Sequence, residues 1–161
     1  MLFLLFGFVK IQQQRTGEGK ESITFSIIVP FRNESANLPA LLSSFQELNY
    51  PKNLFQIILI NDSSDDNSER ICLEYITANP QLKVKLVQSV NHTGSPKKDA
   101  VERGIGEAEF DYILTTDADC ITPENWLRAF NSYIEKTAAD LVSGPVAIKS
   151  GKSILSKFQE V

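Results

Sequence analysis

Tyr112-Ile113-Leu114-Thr115-Thr116-Asp117-Ala118-Asp119-Cys120 is a short apolar run that delivers two carboxylates, one residue apart, to its carboxyl end. Two earlier runs end in the same manner. Phe25 to Pro30 leads into Phe31-Arg32-Asn33-Glu34, and Phe55 to Ile60 leads into Asn61-Asp62-Ser63-Ser64-Asp65-Asp66. Short runs rich in Ile, Val and aromatic residues, each closed by turn-forming residues, read as buried strands. If the strands are parallel, their polar ends share one edge of the sheet, where open sheets of this kind bind ligands. The acids then read as a site.

Between these runs the period changes from strand-like to helical, which is the pattern of an α/β fold with a mainly parallel sheet. A first helix is expected from Ser35 to Leu48, with Leu38, Leu41, Leu42, Phe45 and Leu48 on one face and Asn49-Tyr50-Pro51 as its stop. Ile71, Cys72, Tyr75 and Ile76 make the stripe of a second helix that ends near Asn79-Pro80. Val84 to Val87 reads as a third strand, and Pro96 to Ala108 as a helix whose end is weakened by Gly104 and Gly106. After the fourth strand, Tyr112 to Thr116, the group Thr122-Pro123-Glu124 offers a cap, a proline at the first position and an acid in the first turn. Trp126, Leu127, Phe130, Tyr133 and Ile134 then face the core, and Leu141 to Val146 reads as a fifth strand.

The chain has 161 residues, enough for one domain with a real core, and 42% hydrophobic with 22% charged residues is the balance of a globular domain. A net charge of −4 argues against nucleic acid as a partner. Cys72 and Cys120 lie far apart and His92 is the sole histidine, so neither a zinc site nor a disulfide framework is indicated and a reducing compartment fits. Residues 1–22 form a hydrophobic segment and polar linker, and residues 23–161 the domain. Met1 to Val9 would reach only ~13 Å as a helix, against ~30 Å of hydrocarbon, and cannot span a bilayer alone. That run reads as the tail of a membrane anchor, as a membrane-surface segment, or as a strand docked on the domain.

The loops argue against several other nucleotide folds. A dinucleotide-binding domain needs Gly-x-Gly-x-x-Gly after its first strand, and here that turn is Pro30-Phe31-Arg32-Asn33-Glu34. Gly151-Lys152-Ser153 hints at a phosphate loop, but the motif wants glycine where Val146 stands. Sugar nucleotidyltransferases have a similar sheet and resemble one another in a glycine-rich, basic loop after strand one, neither feature of which is intact here, so they remain a weak runner-up.

The ordered set SIIVPFRNES, INDSSDD, SPKKDAVERGI and TTDADC resembles the family 2 glycosyltransferases, whose fold is the Rossmann-like GT-A type. The resemblance runs from about Phe25 to Pro145. Each motif is weak by itself, since Asp, Asn and Ser also make turns and caps, but four in register are specific. It implies a transferase that moves a sugar from a nucleotide-sugar donor to a glycan or lipid acceptor, at a membrane's cytoplasmic face or in the cytoplasm. By resemblance Asp119 ligates Mg2+ or Mn2+, and Asp117 contacts the donor's ribose or reaches the metal through water. Hard oxygen ligands suit those ions, which turn carboxylate–diphosphate repulsion into a bridge. Pro30, Asn33, Glu34 and Asp62 are then donor-binding, with Asp62 accepting from a pyrimidine's imide N–H, and Lys97 lies near the phosphates.

Each of these residues has a plainer reading. Asp117 and Asp119 could form a solvated turn, Asn33 to Ser35 a helix cap, Asp66 to Ser68 a cap of the second helix, and Lys97 a surface lysine. The chain also departs from the family pattern at Asn61, usually Asp, at Ser63, usually Gly, at Pro96, usually Gly, and at Glu102, usually Asn. The family's inverting chemistry uses a carboxylate base beyond a further strand, and Glu124, Glu135, Asp140 and Glu160 do not sit in that setting. The chain therefore reads as a donor-binding half, with an exposed sheet edge or apolar face that would favour self-association. The alternative is a non-catalytic nucleotide-sugar-binding or partner-docking module. UDP is favoured around Asp62, with GDP and dTDP left open.

Overall fold

Phe25–Phe31 (β1) and Phe55–Asn61 (β2) are buried along almost their whole length, as expected of strands covered on both faces of a parallel sheet. The structure, a computed structural model, describes residues 21–90, 93–139, 142 and 144. Among these residues β1 and β2 are flanked by β3 (Val84–Gln88) and β4 (Tyr112–Thr115) in the order β3-β2-β1-β4. All pairings are parallel, with Phe25 opposite both Phe55 and Tyr112. The edge strands β3 and β4 are only half-buried or exposed.

The helices are α1 (Leu38–Gln46), α2 (Ser68–Ala78), α3 (Pro96–Gly106) and α4 (Trp126–Thr137). Strand alternation assigns their faces. Phe25, Ile27, Val29, Phe55, Ile57 and Leu59 point to the side covered by α1, α2 and α4, through Leu38, Leu41, Phe45, Cys72, Leu127 and Ile134. Ile28, Ile58 and Ile60 point to the other side and meet Ala100 of α3. This division follows from the strand order. The chain steps outward from β1 to β3 and then returns past β1 to β4, and right-handed crossovers require the returning helix to lie on the opposite face.

Several expected boundaries shift, each for a local reason. Ser35–Asn37 form a turn, with Asn37 N–H and Leu38 N–H both donating to the Glu34 carbonyl, and regular helix begins only at Leu38. At the far end α1 stops at Gln46, and the Lys52 ammonium binds the Gln46 and Leu48 carbonyls left over there. The fourth strand stops at Thr115 rather than Thr116, although Thr116 N–H still reaches the Ile28 carbonyl. Thr122 is not the cap of α4, which begins four residues later at Trp126 after a turn closed by Trp126 N–H on the Pro123 carbonyl. The Ser44 hydroxyl, which donates to the Leu41 carbonyl, accepts the Thr122 N–H at 3.1 Å and lies 2.9 Å from the Thr122 hydroxyl. Thr122 thereby ties the β4–α4 loop to α1. Of the expected fifth strand, Val142 packs against the core and the rest, apart from Gly144, lies outside the described residues, as do His92 and residues 1–20.

Gly104 reads from sequence as a weak point of α3, and the packing gives it a positive role. A Cβ at this position would stand 2.5 Å from Ile28 Cγ2, so only glycine lets α3 lie this close to β1. Gly104→Ala gains about 1 kcal/mol of helix propensity but forces a buried, β-branched side chain to move, which costs about 1–3 kcal/mol. Urea unfolding should show a net loss of stability. A midpoint at or above that of the wild type would mean the helix adjusts freely and the contact is not limiting.

Candidate functional site

The strand ends meet at the break in strand order, where β1 turns toward β2 on one side and pairs with β4 on the other. There Pro30, Phe31, Arg32, Glu34 and Asp62 from the first two loops face Pro96, Lys97 and Ala100 of α3 and Asp117, Ala118 and Asp119 after β4. They line a cleft of about 460 Å³, within the range of small-molecule sites. Four carboxylates, those of Glu34, Asp62, Asp117 and Asp119, are set against two cations, Arg32 and Lys97.

The two loops on the β1–β2 side are laced together by short polar side chains. Asn33, at φ 57°, accepts Asp65 N–H at 2.9 Å through its side-chain oxygen, and its own N–H donates to the Ser64 hydroxyl at 3.0 Å. Glu34 N–H donates to the Ser68 hydroxyl at 2.8 Å, and Ser35 N–H to Asp66 Oδ2 at 3.1 Å. Ser63, where the resembling family has glycine, occupies the left-handed region at φ 55°. Asn61 is buried, accepting Ser64 N–H and donating to Glu69. An amide can do both; a carboxylate there would face Glu69 with like charge.

Asp66 also accepts Ser68 N–H at 2.9 Å, so it both serves the start of α2 and joins the loops. Its hydrogen bonds, first that to Ser68 and then that to Ser35, hold its carboxyl well below the usual 3.8. A depressed carboxyl adds stability above its unfolded value that is lost as pH falls through the folded one. The stability gap between wild type and Asp66→Asn should therefore narrow from about pH 4 downward. Parallel acid limbs in pH-dependent melts would show that the bonds do not persist in solution.

Asp62 is the most constrained of the acids. It is 6% exposed, its N–H extends the ladder to the Phe31 carbonyl, and its Oδ2 lies 3.9 Å from Arg32 Nη1. Its Oδ1 is buried with no hydrogen-bond partner. An unpaired buried acceptor costs about 1–3 kcal/mol and leaves this oxygen open to a donor in the cleft.

On the other wall Lys97 Nζ donates to Asp117 Oδ1 at 2.7 Å, and this bond holds the ammonium above its ordinary value. Asp117 and Asp119 are exposed and flank the buried Ala118, in a turn closed by Cys120 N–H on the Asp117 carbonyl. Asp119 Oδ1 has the Cys120 thiol 3.8 Å away. Two exposed carboxylates at a strand end supply the hard oxygen donors that Mg2+ or Mn2+ prefers, and the cleft's acidic excess favours a cation there. Asp117 and Asp119 therefore fit such an ion. Among the described residues no cluster of three or more metal-binding side chains occurs.

Pro30, Glu34, Asp62, Lys97, Asp117 and Asp119, all singled out from sequence, thus converge on one cleft, whereas Asn33 spends its side chain on the loop lacing. Phe31, Arg32, Pro96, Ala100 and Ala118 line the cleft as well and are not among the residues expected from sequence. For Arg32 the signal was its position in the loop after β1, between residues already selected.

The model of the family described as Glycosyl transferase family 2 matches residues 26–159. The chain belongs to the family 2 glycosyltransferases. Among its relatives, poly-beta-1,6-N-acetyl-D-glucosamine synthase of Staphylococcus aureus is 30% identical over 142 residues, 88% of this chain and 32% of that protein. Glycosyltransferase AglE of Haloferax volcanii is 26% identical over 121 residues, 75% of this chain and 38% of that one. The chain spans about a third of the length of these curated relatives. TarS of S. aureus, solved with UDP, superposes with a TM-score of 0.64 at 26% identity, over 73% of this chain and 34% of the other. The mannosyltransferase PcManGT from Pyrobaculum calidifontis, solved with GDP-Man and Mn2+, gives 0.66 at 18% identity, over 83% and 39%, a likeness of fold. The parallel sheet with helices on both faces is thus the Rossmann-like GT-A arrangement of the glycosyltransferases.

Proposed function

We propose that this chain forms the donor-binding part of an inverting, metal-dependent glycosyltransferase that transfers a sugar from a UDP-sugar to a glycan or lipid acceptor. Its place of action in this reading is the cytoplasmic face of a membrane; among the described residues no helix is long and apolar enough to cross one. The observation that carries the reading is the buried, partnerless Asp62 Oδ1 in the same cleft as the Asp117–Asp119 pair. One end of the cleft requires a hydrogen-bond donor and the other a cation, and a uridine diphosphate bound with a divalent ion supplies both. TarS, at 26% identity, has been solved with both UDP and UDP-GlcNAc.

In this reading Asp62 accepts the pyrimidine's imide N–H, while Pro30 and Glu34 border the nucleoside. Lys97 supplies a point charge to the diphosphate. Asp119, with Asp117, holds Mg2+ or Mn2+, which when bound offsets the charge of the leaving nucleoside diphosphate. Without that cation the four carboxylates of the cleft would repel the donor.

Calorimetric titration of UDP into the purified chain tests this. Binding in Mn2+ that disappears in EDTA is expected. A folded sample that binds no nucleotide in either condition would overturn the donor-site assignment and favour a partner-docking module.

A further inference from the structure

Lys97 is the first residue after Pro96 in α3, and a cation in the first turn opposes the helix dipole. No side chain caps this helix end. Asp99, the acid of this first turn, is buried and accepts from Thr93, and the anion that meets the Lys97 charge is Asp117, 2.7 Å from the ammonium. The pair is not locked: 68% of the lysine side chain and 55% of the aspartate side chain are exposed, and such pairs are held weakly. Asp117 is nevertheless one of the two carboxylates suited to a divalent ion, and an ion and an ammonium compete for the same oxygens.

We infer that Lys97 is an exchangeable countercharge, which occupies Asp117 until a divalent cation takes Asp117 and Asp119 and then turns to the donor's diphosphate. The inference rests on the proposed donor site and adds an order to it. Lys97 opposes binding of the cation alone and favours binding of the cation with nucleotide. The same side chain thus makes the two ligands cooperative, since the first removes its anionic partner and the second provides a new one.

The two effects have opposite signs, which a merely structural lysine would not produce. Lys97→Met in the full chain should bind Mn2+ alone about three- to ten-fold more tightly, as followed by the electron paramagnetic resonance signal of free Mn2+, because a unit positive charge beside the ligand oxygens is gone. The same variant should bind UDP at saturating Mn2+ about ten-fold more weakly. Lys97→Arg keeps the charge and should stay near wild type in both titrations. If wild type shows Mn2+-strengthened UDP binding while Lys97→Met gains no Mn2+ affinity, the exchange is overturned and the donor site stands. A wild type that binds neither Mn2+ nor UDP overturns both.

Discussion

Asp119→Ala is expected to abolish the Mn2+-dependent part of UDP binding, leaving the variant in Mn2+ no better than wild type in EDTA. Asp119 is exposed, and the contact found for its carboxylate is the Cys120 thiol at 3.8 Å, whereas Asp117 is engaged by Lys97 and Asp62 faces Arg32. Its charge is therefore the most available for a cation. Loss of an outer-shell partner typically costs about 10–100-fold in metal affinity, so loss of a direct ligand should cost more than about 100-fold. The substitution sits on an exposed turn and should leave the melting temperature within a few degrees of wild type, which separates loss of the ligand from loss of the fold. Retained Mn2+ dependence within about three-fold of wild type would remove Asp119 from the metal site, and with it the assignment of this loop.

The second large effect is on stability and comes from a residue that no motif marks. Asn131, on α4, is buried, and its side-chain oxygen accepts Ser22 N–H at 3.2 Å, Ile23 N–H at 3.1 Å and lies 2.9 Å from the Tyr50 hydroxyl. Burial, aided by Glu21 and Glu135, pushes the Tyr50 hydroxyl up to about 12, so it remains a donor at ordinary pH, shared with the Ile23 carbonyl at 2.7 Å. One amide oxygen thus joins α4 to the entry of β1 and to the loop before β2. Two further bonds, Arg128 to Glu21 at 2.5 Å and Ser22 to Glu135 at 2.8 Å, run alongside it. Asn131→Leu keeps the approximate shape and removes the acceptor, leaving partly or fully buried N–H groups unpaired at about 1–3 kcal/mol each. A loss of about 3 kcal/mol, or roughly 10 °C in melting temperature, is expected. A fall of less than about 1 kcal/mol would mean that water replaces the amide at this junction. Because α4 follows the loop that bears Asp117 and Asp119, and Thr122 fastens that loop to Ser44, the variant should also weaken nucleotide binding indirectly.

Much of the site was legible because its residues are tied to strand ends. A strand that ends in Asn-Asp or Thr-Asp-Ala-Asp puts its acids in the loop whatever else the chain does, and parallel pairing brings those loops to one edge. The split uses of Asn33 and Asp66 were legible only as alternatives. Asn33 turned to lacing, by accepting Asp65 N–H, while Asp66 serves both α2 and the loop after β1. Their partners lie some thirty residues away, beyond the reach of a local pattern. Thr122 shows the same limit. Its sequence context is that of a cap, yet its hydroxyl and N–H go to Ser44, because the packing of α1 offers a buried oxygen that helix propensity does not register.

The sequence by itself determined the alternation of strands and helices, the parallel character of the sheet, and the gathering of Asp62, Asp117 and Asp119 at the strand ends. These follow from periodicity and turn chemistry, which act over a few residues. Only the tertiary structure decided that Gly104 admits α3 against Ile28, that Asn131 joins α4 to the start of the sheet, that Asp62 keeps one buried oxygen without a partner, and that Lys97 stands on Asp117. Those outcomes depend on which distant surfaces the strand order brings together and how closely, and contacts between distant surfaces leave no period in the chain.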